Sequence, residues 1–220
     1  MVPVPVDRRP VLLSLAGLGA VAAGAMLVLL LQVVPPTNEI SATWRTISEY
    51  GLSDRKWVFD LAVVLVAGGS AVAFAVLRLH GRLPAAAAVA GALWTAGLLV
   101  IVAFPKTDWA NAAASGTGGV VHRIASVVAF VALPFAVLLA SRVVFPDRPG
   151  RRWLARVLAI AALGWFAVLL GAVVVAALTG QHWWLLVPLG LVERGMAGTE
   201  LLALVALAAP ARRRGLAVDA

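Results

Sequence analysis

The chain has no cysteine among its 220 residues. That excludes dithiol–disulfide chemistry, thiolate nucleophiles and iron–sulfur clusters. It leaves the compartment open, because a cysteine-free chain suits either redox environment. Charge is scarce as well: 13 % of residues are Asp, Glu, Lys or Arg, and Lys56 and Lys106 are the two lysines. No internal repeat stands out. The bias toward Ala, Val, Leu and Arg resembles that of high-GC bacterial genomes.

Apolar residues are abundant, at 62 % with a mean hydropathy of +0.98. Soluble domains carry roughly half. Six apolar runs of about 20 residues, the length that spans a bilayer as helix, use nearly the whole chain. The expected fold is therefore an all-α polytopic integral membrane bundle, one domain over residues 1–220. Its spans are expected at about 11–34, 57–77, 85–104, 120–143, 153–178 and 189–209. A cleaved signal peptide is a rival for the first run, with Arg8-Arg9 as its basic start. The run from Val11 to Val34 is 24 residues, against the usual 7–15, which favours a retained helix.

The charges sort onto two faces. Loops after even-numbered spans, together with the two ends, hold Arg8, Arg9, Arg78, Arg82, Arg142, Arg148, Arg151, Arg152, Arg156 and Arg212, Arg213, Arg214 against Asp7, Asp147 and Asp219. The other side holds Arg45, Arg55, Lys56, Lys106, Arg123 and Arg194 against Glu39, Glu49, Asp54, Asp60, Asp108, Glu193 and Glu200. The balance is +9 against −1, which matches the net charge of +8. Basic residues on short loops mark the cytoplasmic side, so both termini are expected there, in a bacterial plasma membrane. A strongly basic soluble protein would suggest nucleic acid; here anionic inner-leaflet lipid is the natural partner and nucleic acid is not.

Local signals refine this picture. Ile40, Trp44 and Ile47 recur at helical spacing and Gly51 suits a C-cap, predicting an outer amphipathic helix over about 39–50 that lies on the membrane surface. Ser53 with Asp54 would cap the second span. Ala16, Ala20 and Gly24 form a small-residue stripe for close helix packing. Pro134 is a natural kink, and His182-Trp183-Trp184 suits an interfacial aromatic belt.

The polar chemistry gathers on the outer side. Glu200 falls about nine residues, roughly 14 Å, inside the last span, where a carboxylate is costly unless paired, neutral or wetted. Glu193, seven residues earlier, shares its helical face. His122 and Ser126 share a face of span four, and Asp60 lies one turn into span two. Asp60, His122, Ser126, Glu193 and Glu200 could converge in one outward-opening cavity, with Arg123 and Arg194 as counter-charges and Glu49 on the same side. The plainer readings are a hydrogen-bonded structural carboxyl at Glu200 and snorkelling of Arg123 and Arg194 to lipid phosphates. No metal is expected, because two outer histidines make a thin ligand set. Haem lacks facing axial ligands, so no cofactor is expected. Ser126 beside His122 is the one pair with nucleophile–base spacing, without an elbow motif.

Three segments carry a family likeness: Thr46-Ile47-Ser48-Glu49-Tyr50-Gly51 leading to Trp57-Val58-Phe59; Phe104-Pro105 followed by Val121-His122-Arg123-Ile124-Ala125 and Phe130; and Gly190-Leu191-Val192-Glu193-Arg194-Gly195. Together they resemble the six-spanning bacterial and archaeal membrane proteins catalogued as domain of unknown function 998, over about residues 11–210. That family is in turn distantly similar to the DRAM autophagy modulators and FGF-receptor-activating proteins, which are linked to membrane-lipid or GPI-lipid handling. The resemblance implies that Ser48, Glu49, Gly51, His122, Glu193 and Arg194 are recurrent polar positions.

The function these features predict is binding or processing of a lipid or small amphiphile in an outward-facing polar cavity. A catalytic version would be acyl or headgroup transfer with His122 or Glu193 as general base. The alternatives are a proton-coupled transporter using Glu200, or a structural subunit packing against other membrane-protein subunits. The apolar inner halves of the spans weigh against transport.

Overall fold

A computed structural model describes residues 9–107 and 116–210. The charges Asp7, Arg8, Asp108, Arg212, Arg213, Arg214 and Asp219 lie outside the described residues, as do positions 108–115 of the glycine-rich loop before span four. Among the described residues there is no strand, and six α-helices follow one another: α1 (Arg9–Leu31), α2 (Lys56–Leu79), α3 (Ala85–Ala103), α4 (Thr117–Val144), α5 (Pro149–Thr179) and α6 (Leu189–Ala208). The first five are long and apolar enough to cross a membrane. The sixth has 20 residues, including Glu193, Arg194 and Glu200. The protein is all-helical, membrane-embedded and multi-pass.

Each helix packs on its sequence neighbour, and α6 also returns against α4, whereas α1 and α6 scarcely touch. The short α2–α3 and α4–α5 connections hold those neighbours antiparallel. Gly81 and Gly180 supply the left-handed turns, at φ 67° and 71°, that end α2 and α5. Pro149 opens α5, where its missing N–H costs nothing. Pro134 is buried within α4. At the α5–α6 turn His182 stacks on Trp184 with ring centroids 4.5 Å apart, and Trp183 meets Trp184 edge-on at 6.0 Å.

The small-residue seam between α1 and α2 is shifted from its expected register. A Cβ on Gly17 would lie 2.9 Å from the Gly69 carbonyl oxygen, and one on Gly24 would lie 2.5 Å from that of Ala62. Backbone meets backbone there, so Ser14, Gly17, Val21 and Gly24 are the buried positions of α1 along it. Gly24 belongs to the expected stripe, but Ala16 is exposed. In an alanine-rich helix several stripes look alike, and the glycines decide between them.

The segment 37–55 also differs from expectation. In place of one amphipathic helix over 39–50 it forms two 3₁₀ turns, Thr37–Glu39 and Ile47–Leu52, with an irregular strap between. The strap is pinned by tertiary bonds that a regular helix would not permit: Leu191 N–H donates to the Thr43 carbonyl at 3.0 Å, and Tyr50 is fully buried. Gly51 does not cap a helix. It sits inside the second turn, where a Cβ would press on the Phe59 ring at 3.2 Å. Ser53 performs part of its expected task, its hydroxyl accepting the Arg55 N–H at 3.2 Å just ahead of α2.

Candidate functional site

A cavity of about 450 Å³ lies at one end of the bundle, enclosed by α1, α2, α3, α4 and α6 and roofed by the strap. Its body is apolar, with Val28, Phe59, Val66, Trp94, Leu98, Phe130 and Leu201 on the walls. Its polar residues cluster where the helices meet the strap: Gln32 just past α1, Ser48 in the second 3₁₀ turn, His122 and Ser126 in the opening turns of α4, and Glu193 and Arg194 in those of α6. Leu29 and Gly198, on the two sides of the loosely packed α1–α6 gap, line the cavity and are also exposed. The cavity therefore opens sideways between those helices.

Each polar residue is held by its own fold context. The buried His122 ring donates from Nδ1 to the Phe104 carbonyl at 2.8 Å. A carbonyl can only accept, so the proton sits on Nδ1 and the Nε2 lone pair is left for another partner. The Ser126 hydroxyl donates to the carbonyl of His122 at 2.8 Å, one turn back. It is thus turned to the backbone and not to the imidazole, and the nucleophile–base pair that the spacing permits is not formed. Glu193 accepts the Ile47 N–H at 2.6 Å. Arg194 donates to the Arg45 carbonyl at 2.7 Å, the Gly190 carbonyl at 3.1 Å and the Tyr50 hydroxyl at 3.1 Å, with its guanidinium 5.7 Å from the Tyr50 ring centre. Gly190 has to be glycine, because a Cβ would strike the carbonyls of Arg45 and Ala42.

Of the eight residues expected at one site, the fold brings His122, Ser126, Glu193 and Arg194 together. Glu49 lies above them, where it pairs with Lys106 and reaches Arg45 at 3.9 Å; Lys106 also donates to Thr46 Oγ1 at 2.9 Å. Asp60 faces away and takes Lys56 Nζ at 2.5 Å. Arg123 is exposed on the outer side of α4. Glu200 is fully buried but does not line the cavity, and neither carboxyl oxygen has a hydrogen-bond partner among the described residues. At 100° per residue the cavity-lining positions of α6 (193, 194, 197, 198 and 201) centre about 90° from Glu200. The shared face of Glu193 and Glu200 is real, but its deeper part is packed between Met196, Ala203 and Leu204, all buried.

Three residues the sequence did not mark belong to this region. Lys106 ties the strap to the start of the glycine-rich loop, and its place next to Phe104-Pro105 was the available signal. Gln32 is a lone polar residue closing an apolar run. Trp94 lines the cavity, and its Nε1–H is buried with no partner among the described residues. No group of three or more His, Cys, Asp or Glu side chains able to hold a metal occurs among the described residues.

A family model described as "Protein of unknown function (DUF998)" matches residues 18–210. The chain belongs to the DUF998 family. Every cavity-lining residue, from Ala25 to Leu201, falls inside the matched stretch. No curated protein and no solved structure matches the chain.

Proposed function

We propose that this DUF998 protein is a six-span protein of the bacterial plasma membrane, with both termini cytoplasmic, that binds a lipid or small amphiphile in the cavity beneath its outer strap. α6 is the sixth span: its 20 residues reach about 30 Å, and its charged residues turn to the cavity and the buried seam. The carrying observation is the division of the cavity into an apolar body and a polar outer end, with a sideways opening toward lipid. An acyl chain or similar tail enters between α1 and α6 and lies along Val66, Leu98 and Leu201. The headgroup meets His122, Glu193 and Arg194. Any chemistry on the headgroup would use His122, because its Nδ1–Phe104 bond presents Nε2 as the base.

The test is a lipid extraction from purified protein. A side chain on Gly198 meets open space, with nothing within 4 Å of its Cβ, so Gly198→Phe fills the opening without disturbing the core. The parent protein should carry a stoichiometric amphiphile that Gly198→Phe loses. Equal lipid content in both would remove the support for this reading.

A further inference from the structure

At the opposite end of the bundle, where α1 and α5 begin and α2, α4 and α6 end, a second cavity of about 590 Å³ is lined by His80, Arg82, Arg148 and Arg151, with Asp147 as the one carboxylate among the described residues that line it. We infer that this cavity is a separate anion site, built for the phosphate of an anionic phospholipid. Its cations come from three chain segments: Arg82 from the α2–α3 turn, Arg148 from the α4–α5 connection and Arg151 from the first turn of α5. Arg82 and Arg148 are exposed, and their guanidinium groups have no hydrogen bond or ion pair among the described residues. A solvated basic rim would need no enclosure. These residues instead stand over an apolar floor that includes Val11, Phe145 and Leu207. Cationic rim above apolar floor is the complement of a phosphodiester joined to hydrocarbon.

Arg151 fixes the shape of the site. Its Nη2 donates to the Ala209 carbonyl at 2.6 Å and its guanidinium lies 4.7 Å from the Phe145 ring centre. These bonds quiet the partial negative charge at the end of α6, so that Arg82 and Arg148 act on a ligand without that opposition. The His80 Nδ1–H is given to the Val76 carbonyl at 2.7 Å, which leaves the Nε2 lone pair to water and the anion to the arginines. Under the proposed orientation the site faces the inner leaflet, where anionic lipid is available.

The experiment compares the detergent-purified parent, Arg82→Gln/Arg148→Gln, and a charge-matched control, Arg142→Gln/Arg152→Gln, whose side chains do not line the cavity. Each is titrated with dioleoyl phosphatidylglycerol, dioleoyl phosphatidylcholine and inorganic phosphate, and followed by native mass spectrometry and thermal shift. The parent and the control should hold phosphatidylglycerol alike, over phosphatidylcholine. The Arg82/Arg148 pair should lose it by about tenfold or more, the scale of one charge-assisted contact. Inorganic phosphate that stabilises as well as the lipid would overturn the lipid source and leave a soluble phosphate as ligand. Equal loss in both double variants, or no preference for phosphatidylglycerol, would overturn the site.

Discussion

The Glu193 carboxylate accepts the Ile47 backbone N–H at 2.6 Å, joining α6 to a strap 146 positions earlier in the chain. Its neighbour Arg194 holds Arg45 and Tyr50 of the same strap. Two consecutive residues of α6 thus seat the roof of the cavity. Glu193→Ala should free the strap at a cost of about 1.5–3 kcal/mol, the range for a bond to a charged acceptor. Hydrogen exchange at Ile47 should rise about tenfold or more, whereas Glu193→Gln, which keeps an acceptor oxygen, should retain most of the protection. Unchanged exchange in Glu193→Ala would dissociate the strap from α6.

The α1–α2 seam depends on missing side chains. Gly69→Val should destabilise the protein by about 1–3 kcal/mol through overpacking, because its Cβ would meet the Gly17 carbonyl, whereas Gly68→Val has open space around it. Thermal unfolding in detergent should separate these adjacent variants. Equal unfolding temperatures would mean the helices do not touch there.

Glu200 is expected to be dispensable for ligand binding. With both carboxyl oxygens buried and no partner among the described residues, Glu200→Leu should leave amphiphile content unchanged. It should also be neutral or stabilising by about 1 kcal/mol, since replacing an unsatisfied buried polar group with an apolar one removes a desolvation cost. Loss of bound amphiphile or of assembly in this variant would assign Glu200 a partner that the described residues do not show.

The absence of cysteine makes the topology directly readable. Asp54→Cys and Leu185→Cys lie at exposed positions on the strap side, and Gly150→Cys lies at an exposed position on the other. A membrane-impermeant maleimide on intact cells should label the first two, and Gly150→Cys only after permeabilisation. The reverse pattern would invert the orientation, and labelling of all three from outside would break the six-span arrangement.

The long helices were legible in the sequence because hydropathy and length are properties of a segment taken alone. The ends of α3 and α6 show it, falling within a residue or so of the expected ones. His122 and Ser126 were legible as a pair because i, i+4 spacing fixes a shared face. What could not be read were choices made between helices. Glu193 and Glu200 share a face, but only packing decides that one borders a cavity and the other a closed seam. Asp60 looked convergent by depth, yet the turn of α2 points Phe59 inward and leaves Asp60 to Lys56. The strap's helical spacing of Ile40, Trp44 and Ile47 was overridden by its bonds to Glu193, Arg194 and Lys106, partners more than fifty residues away.

The most direct test of the amphiphile cavity is photo-crosslinking in reconstituted membranes, with a phospholipid carrying a diazirine at the end of its acyl chain, followed by mapping of the labelled peptides. Label should concentrate on cavity-lining positions such as Val63, Leu98 and Leu201 and fall sharply in Gly198→Phe. It should exceed the label on the exposed face of α5 at Val174 and Leu178. Label spread evenly over exposed helix faces, unaffected by Gly198→Phe, would contradict the cavity as a binding site.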